Sequence, residues 1–151
     1  MLESDIKIDK EGIWYYRGAH MFRKDILCLF FENLHLDDCG RYFVQMNQET
    51  CYLDVEDTAF VISAVYIIEN STGGHEQIEI LLNDDSRETL DLTTLTVGKD
   101  NVMYCRIKDG KFPARFSRKS YYQMAQCIRQ DDAADNFYVC VNNQKFMIRN
   151  Q

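Results

Sequence analysis

A stretch in the first half of this chain returns in the second half at a fixed offset of 95 residues, Phe116 falling over Met21. Met21-Phe22-Arg23-Lys24 lies over Phe116-Ser117-Arg118-Lys119, and Ile26 and Leu27 lie over Tyr121 and Tyr122. The offset then holds through "YFVQMNQETCYLDV" from Tyr42 and "FYVCVNNQKFMIRN" from Phe137, where Val44 meets Val139 and Leu53 meets Ile148. Upstream, "DKEGIWYYR" lines up with "IKDGKFPAR" if the second copy is three residues shorter before its helix. The local pattern within each copy is hairpin, helix, hairpin. Apolar residues alternate in "DIKID" and "IWYY", as strands require. From Phe22 the spacing changes: Phe22, Ile26, Leu27, Phe30, Phe31 and Leu34 recur as one helical face, and "DDCG" follows the helix. "RYFVQM" and "TCYLDV" around "NQE" read as a second hairpin. Two copies are too few for a solenoid. The repeat therefore predicts two units that hide their helix faces against one another around a pseudo-twofold axis.

Between the copies, "FVISAVYIIENSTGGHEQIEILLND" is a hairpin whose Gly73 and Gly74 supply the tip. "ETLDLTTL" and "NVMYCRIKD" read as further strands. The expected total is two helices and about nine strands, an α+β fold. The expected divisions are an N-terminal repeat over 1–58 and a C-terminal half over 59–151, closely joined because no low-complexity linker separates them.

Net charge is −7, which argues against bulk binding of nucleic acid or anionic membrane. The charge is uneven: residues 32–100 hold 15 Asp/Glu and 3 Lys/Arg, while the two flanks hold 14 Lys/Arg and 9 Asp/Glu. Arg106, Lys108, Lys111, Arg115, Arg118 and Lys119 crowd into 106–119 beside Asp109 alone. That pattern suits an anionic ligand, without any motif for sequence-specific DNA recognition. No apolar run approaches the roughly 20 residues needed to span a bilayer. "MLESDIKIDKEG" has no basic, then apolar, leader pattern, so a cytoplasmic location is expected. The six cysteines contain no zinc-type pair, and reduced thiols are expected, with Cys127 the first candidate for reactivity.

Chemistry-bearing motifs are sparse. His20, His35 and His75 share no ligand spacing, and no metal or cofactor is expected. Glycine-rich phosphate loops and nucleophile elbows are absent. Glu56 and Asp57 are adjacent, so on a strand they point to opposite faces and form no ready acid–base pair. No enzymatic activity is expected. Trp14 and Tyr16 share one strand face, which is either half-buried sheet packing or a platform for a planar ligand. Arg23 and Arg118 start the two helices, where a cation opposes the helix dipole. Either they hold an anion beside the free helical N–H groups, or they pair with acids across the repeat, Glu49 and Asp57 being suitable partners.

These residues carry a resemblance. "DIKIDKEGIWYYRGAHMFRKDILCLF", "DDCGRYFVQMNQET" and "LDVEDTAFV" resemble the bacterial proteins grouped as domain of unknown function 1285. The matching positions include Gly12, Trp14, Gly18, Arg23, Gly40, Tyr42, Val55, Glu56, Asp57, Phe60 and Val61. The C-terminal "DGKFPARFSRKSYYQM" is similar too, so the likeness spans nearly the whole chain. Three places depart from the family pattern: Met46-Asn47-Gln48-Glu49-Thr50 replaces Thr-Pro-x-Glu-Lys, Thr58-Ala59 replaces Ala-Pro, and a His-Pro near the last third is absent. The resemblance implies a duplicated α+β fold with a C-terminal half loosely like a pleckstrin-homology barrel. It also implies a nucleotide-type ligand in a cleft between the halves, a signalling role, and no established reaction.

The expectation is thus a non-enzymatic module binding a small anionic, nucleotide-like ligand between the repeats. Arg23, Arg115 and Arg118 would bind the anion, and Trp14, Tyr16 and Tyr121 would line the cleft. The alternative is a protein-interaction module with no small-molecule ligand.

Overall fold

The structure is a computed structural model and describes residues 2–132 and 136–151. The chain divides into two compact units, Met1–Phe60 and Val61–Gln151. The architecture is α+β: sixteen strands and two α-helices among the described residues, with 3-10 turns at Leu92–Thr94 and Lys99–Asn101.

In the first unit, β1 (Leu2–Ile8), β2 (Trp14–Tyr16) and β3 (Ala19–His20) precede α1 (Lys24–Glu32). Then follow β4 (Leu34–Leu36), β5 (Tyr42–Met46) and β6 (Glu49–Val55). They form one sheet in the order β3-β2-β1-β6-β5-β4, antiparallel except for the parallel β1–β6 pair. Alternation along each strand sends Ile6, Ile8, Trp14, Leu34, Tyr42, Val44 and Leu53 into the core. Phe31 of α1 joins them, with its ring centroid 5.0 Å from Trp14 and 5.1 Å from Phe60. The predicted helix reaches Leu34, but α1 ends at Glu32. Asn33 takes φ −108 and caps the end, its backbone N–H bonding to Phe30 and its side chain donating to the Leu29 carbonyl at 2.8 Å. Leu34 instead opens β4 and pairs with Val44.

The second unit contains β7 (Phe60–Glu69), β8 (His75–Leu82), β9 (Arg87–Thr89), β10 (Thr96–Val97), β11 (Met103–Ile107) and β12 (Phe112–Phe116). After α2 (Arg118–Ala125) come β13 (Ile128–Gln130), β14 (Phe137–Val141), β15 (Gln144–Met147) and β16 (Arg149–Asn150). One sheet runs β16-β10-β11-β12-β7-β8-β9 and a smaller one runs β13-β14-β15. Period-2 burial is plain on three strands: Ile78, Ile80 and Leu82; Met103, Cys105 and Ile107; Phe112, Ala114 and Phe116. "ETLDLTTL" is not one strand. Asp91 accepts from Thr93 N–H and turns Leu92–Thr94 into a 3-10 helix, with β9 ending before it.

The two β-hairpins at the 95-residue offset have the same register. Phe43 faces Tyr52 and Val44 faces Cys51; Tyr138 faces Met147 and Val139 faces Phe146. Both turns have two residues with positive φ, Asn47 and Gln48 at 51 and 67, Asn142 and Asn143 at 55 and 62. This backbone matches strand twist in tight hairpins, and asparagine adopts it readily. The first turn is therefore two residues, not the three of "NQE".

Candidate functional site

The second unit contains a cavity of about 550 Å³. Tyr121 and Ala125 of α2, Phe137 of β14 and Met103 of β11 contribute its apolar lining. Four amides, Asn101, Gln130, Asn136 and Asn150, contribute the polar part, and no ionisable acid or base other than the Tyr121 phenol lines it among the described residues. Asn101 projects from a 3-10 turn in which Asp100 and Asn101 both take positive φ, 60 and 61, a conformation asparagine tolerates better than most residues. Each amide offers both donor and acceptor. Two rings with four amides suit a flat, uncharged group with a hydrogen-bonding edge, and the volume lies in the usual range of small-molecule pockets.

α2 is what positions Tyr121. Ser117 caps the helix, its hydroxyl accepting from Ser120 N–H at 3.1 Å. Ser120 is fully buried and its hydroxyl donates to the Ile62 carbonyl at 2.9 Å, while Met124 is also fully buried. On the helix, Arg118, Tyr121 and Ala125 follow i, i+3, i+7 spacing and so share a face. Arg118 is exposed at the first helical position. Its Nη2 lies 3.4 Å from the Tyr122 hydroxyl and its guanidinium lies 5.8 Å from that ring centre. The first turn of α2 has no acidic residue, and Arg118 has no carboxylate partner among the described residues.

The other predicted site residues are placed differently. Arg115 is half-buried on β12, on the opposite face from Phe112, Ala114 and Phe116, with Tyr104 as its cross-strand neighbour. Arg23, Trp14, Tyr16, Glu49 and Asp57 belong to the first unit. Arg23 is the N-cap of α1 and pairs with Asp25, Nη2 to Oδ2 at 2.7 Å. That hydrogen bond holds the Asp25 carboxyl below its usual range. The charge conflict at the start of α1 is thus resolved locally, not by Glu49 or Asp57. Glu49 is exposed at the start of β6, and Asp57 is half-buried in the turn before β7.

Trp14 is not a ligand platform. It is 2% exposed, and the face it shares with Tyr16 is the core face, opposite Ile8 and Ile6. Tyr16 at the strand end is 46% exposed, with the Arg17 guanidinium 5.3 Å from its ring centre. Cys127 is likewise buried, at 3% exposure, and burial pushes its thiol pKa up. Cys105 is raised further by burial, with Glu88 and Asp91 adding to it. Cys28, Cys39 and Cys140 are exposed. A disulfide-exchange reagent added to the native protein is expected to titrate these three rapidly, with Cys105 and Cys127 reacting only after denaturant is added. Mass mapping of the labelled peptides checks this.

The cavity amides escape a sequence reading because they come from four separate segments with no motif. Phe137 was accessible: alternation places it on the same face as the buried Val139 and Val141. Among the described residues no cluster of three His, Cys, Asp or Glu could hold a metal, and no helix is long and apolar enough to cross a membrane.

No family model and no curated protein matches the chain. Two solved structures share its fold. One is a DUF1285 family protein from Silicibacter pomeroyi DSS-3, with a TM-score of 0.78 at 18% identity, covering 97% of this chain and 80% of that one. The other is a DUF1285 family protein from Shewanella baltica OS155, with a TM-score of 0.64 at 19% identity, covering 82% of this chain and 91% of that one. In fold, the chain is a DUF1285-like protein.

Proposed function

We propose that this chain, DUF1285-like in fold, is a non-enzymatic signalling module that binds a small anionic, nucleotide-like ligand, with the planar part seated in the cavity of the second unit. The observation that carries this is the pairing of an aromatic and amide-lined cavity with Arg118, a cation that has no carboxylate partner among the described residues and lies one turn before Tyr121 on the same helix face. The base would stack on Tyr121 and Phe137 and pair with the amides. Arg118 would meet the phosphate outside the uncharged lining. A cytoplasmic location stays part of this reading.

We also read the hairpin–helix–hairpin around α1 and the one around α2, the latter being only part of the second unit, as products of a duplication. The identical hairpin registers support it, as do Gly12 and Gly110, each with positive φ in the turn before Trp14 and Phe112. The pleckstrin-like reading of the second unit draws on its seven-stranded sheet, six strands of which precede α2 while β16 returns to the sheet after it. The alternative, a protein-interaction module, is favoured by the apolar surface next to α1, where Phe22 is 75% and Leu29 is 48% exposed.

The test is calorimetric titration and thermal unfolding with adenosine, its monophosphate and inorganic phosphate. The monophosphate is expected to bind more tightly than the nucleoside, with that difference lost in Arg118→Ala and binding of both weakened roughly 5- to 150-fold in Tyr121→Ala, the range for one stacked base. At 100 times its Kd a ligand stabilises by about 2.7 kcal/mol, enough to raise the Tm by several degrees. No binding of the monophosphate, nor of the guanosine, cytidine and uridine monophosphates titrated in the same way, would transfer the weight to the protein-interaction reading.

A further inference from the structure

The outward face of the first unit's sheet carries a continuous row of rings. His35 on β4, Phe43 on β5 and Tyr52 on β6 are direct cross-strand neighbours. His35 stacks on Phe43 with centroids 5.1 Å apart and planes at 22°. Phe43 meets Tyr52 at 5.5 Å. The row ends in a cation, the Arg41 guanidinium lying 3.9 Å from the Tyr52 ring centre. On the same strands Leu34, Tyr42, Val44 and Leu53 are buried, so alternation turns the row away from the core. His35 is exposed, and Phe43 and Tyr52 are half-buried against each other.

The electrostatic setting selects what such a row would take. The first unit holds 12 Asp/Glu and 6 Lys/Arg. Over residues 34–55, Asp37, Asp38, Glu49 and Asp54 face Arg41 alone. A nucleic-acid strand would meet repulsion here, although its bases could stack. A guanidinium gains twice, from the negative face of each ring and from the surrounding carboxylates. Arg41 on Tyr52 already displays that contact within the chain.

We propose that the His35–Phe43–Tyr52 row is a docking surface for an arginine-rich, extended segment of a protein partner. This is independent of the ligand reading for the second unit. Arg41 occupies the Tyr52 face in the free protein, and an incoming arginine displaces it.

Fluorescence anisotropy with a labelled Gly-Arg repeat octapeptide, compared with Gly-Lys and Gly-Glu repeats, tests the proposal. The arginine peptide is expected to bind more tightly than the lysine peptide, because a planar guanidinium stacks on a ring and an ammonium does not. The glutamate peptide should not bind. Phe43→Leu and Tyr52→Leu keep an apolar strand residue and remove a ring face. Each is expected to weaken binding about twofold to fivefold, the range of an exposed stacked cation contact. Arg41→Gln clears the Tyr52 face as well as removing a positive charge, so it is expected to tighten the arginine peptide more than the lysine peptide, a difference that diffuse charge would not produce. Circular dichroism melts confirm that the variants are folded. Equal affinity for the arginine and lysine peptides, unaltered by Tyr52→Leu, would reduce the interaction to diffuse charge and overturn the proposal. Absence of binding would do so as well. Preference for oligothymidylate would make the row a base-stacking platform instead. Self-association by sedimentation, lost in Tyr52→Leu, would put a second copy on this face.

Discussion

Replacing Trp14 with alanine is expected to destabilise the protein by about 3–5 kcal/mol, the range for emptying a buried aromatic site. The residue is 2% exposed and lies against Phe30 and Phe31, with centroids at 6.0 and 5.0 Å. Phe31 also packs on Phe60, with ring centroids 5.1 Å apart. Trp14→Phe separates packing from polarity. The indole Nε1 is buried with no hydrogen-bond partner among the described residues, and a buried unsatisfied donor costs about 1–3 kcal/mol. Phenylalanine loses part of the apolar contact but also removes that donor. Its net cost is expected to stay within about 1.5 kcal/mol. Urea unfolding followed by far-ultraviolet circular dichroism measures both variants. A Trp14→Ala protein of unchanged stability that had lost a ligand would return Trp14 to the role of a binding residue.

Met124→Ala should be the counterpart in the second unit, with a loss of about 2–5 kcal/mol. Met124 is fully buried on α2, one turn after Ser120, which is also fully buried and tied to the Ile62 carbonyl. Together they hold the helix whose exposed side presents Arg118 and Tyr121. The substitution should therefore weaken any ligand of the cavity as well as lower stability. Hydrogen exchange should increase across α2 before it does in β11 and β12. If exchange rises first in β12, α2 is anchored mainly by its Ser117 cap and not by Met124.

The hairpins were legible because their signals are local. "VQMNQET" and "VCVNNQK" place asparagine in a two-residue turn between alternating runs, and that alone sets register. The end of α1 was not. Leu34 continues the helical apolar spacing, yet the side-chain cap of Asn33 and the pairing with Val44 decide against it. The burial of Trp14 is hidden in the sequence for a different reason. Alternation tells which residues share a strand face, not whether that face is the inner one. β3, β10 and β16 have two residues each, too few for any period to register. Arg118 was visible as a cation at a helix start, but so was Arg23. Only the side-chain geometry separates the one satisfied by Asp25 from the one with no acid beside it among the described residues.

The chain has one tryptophan, and it sits in the interior of the first unit. Its emission is therefore an optical reporter that belongs to that unit. The surroundings of the indole are the Phe30 and Phe31 rings, so a change in its emission during unfolding dates the opening of that aromatic core and not merely the loss of secondary structure.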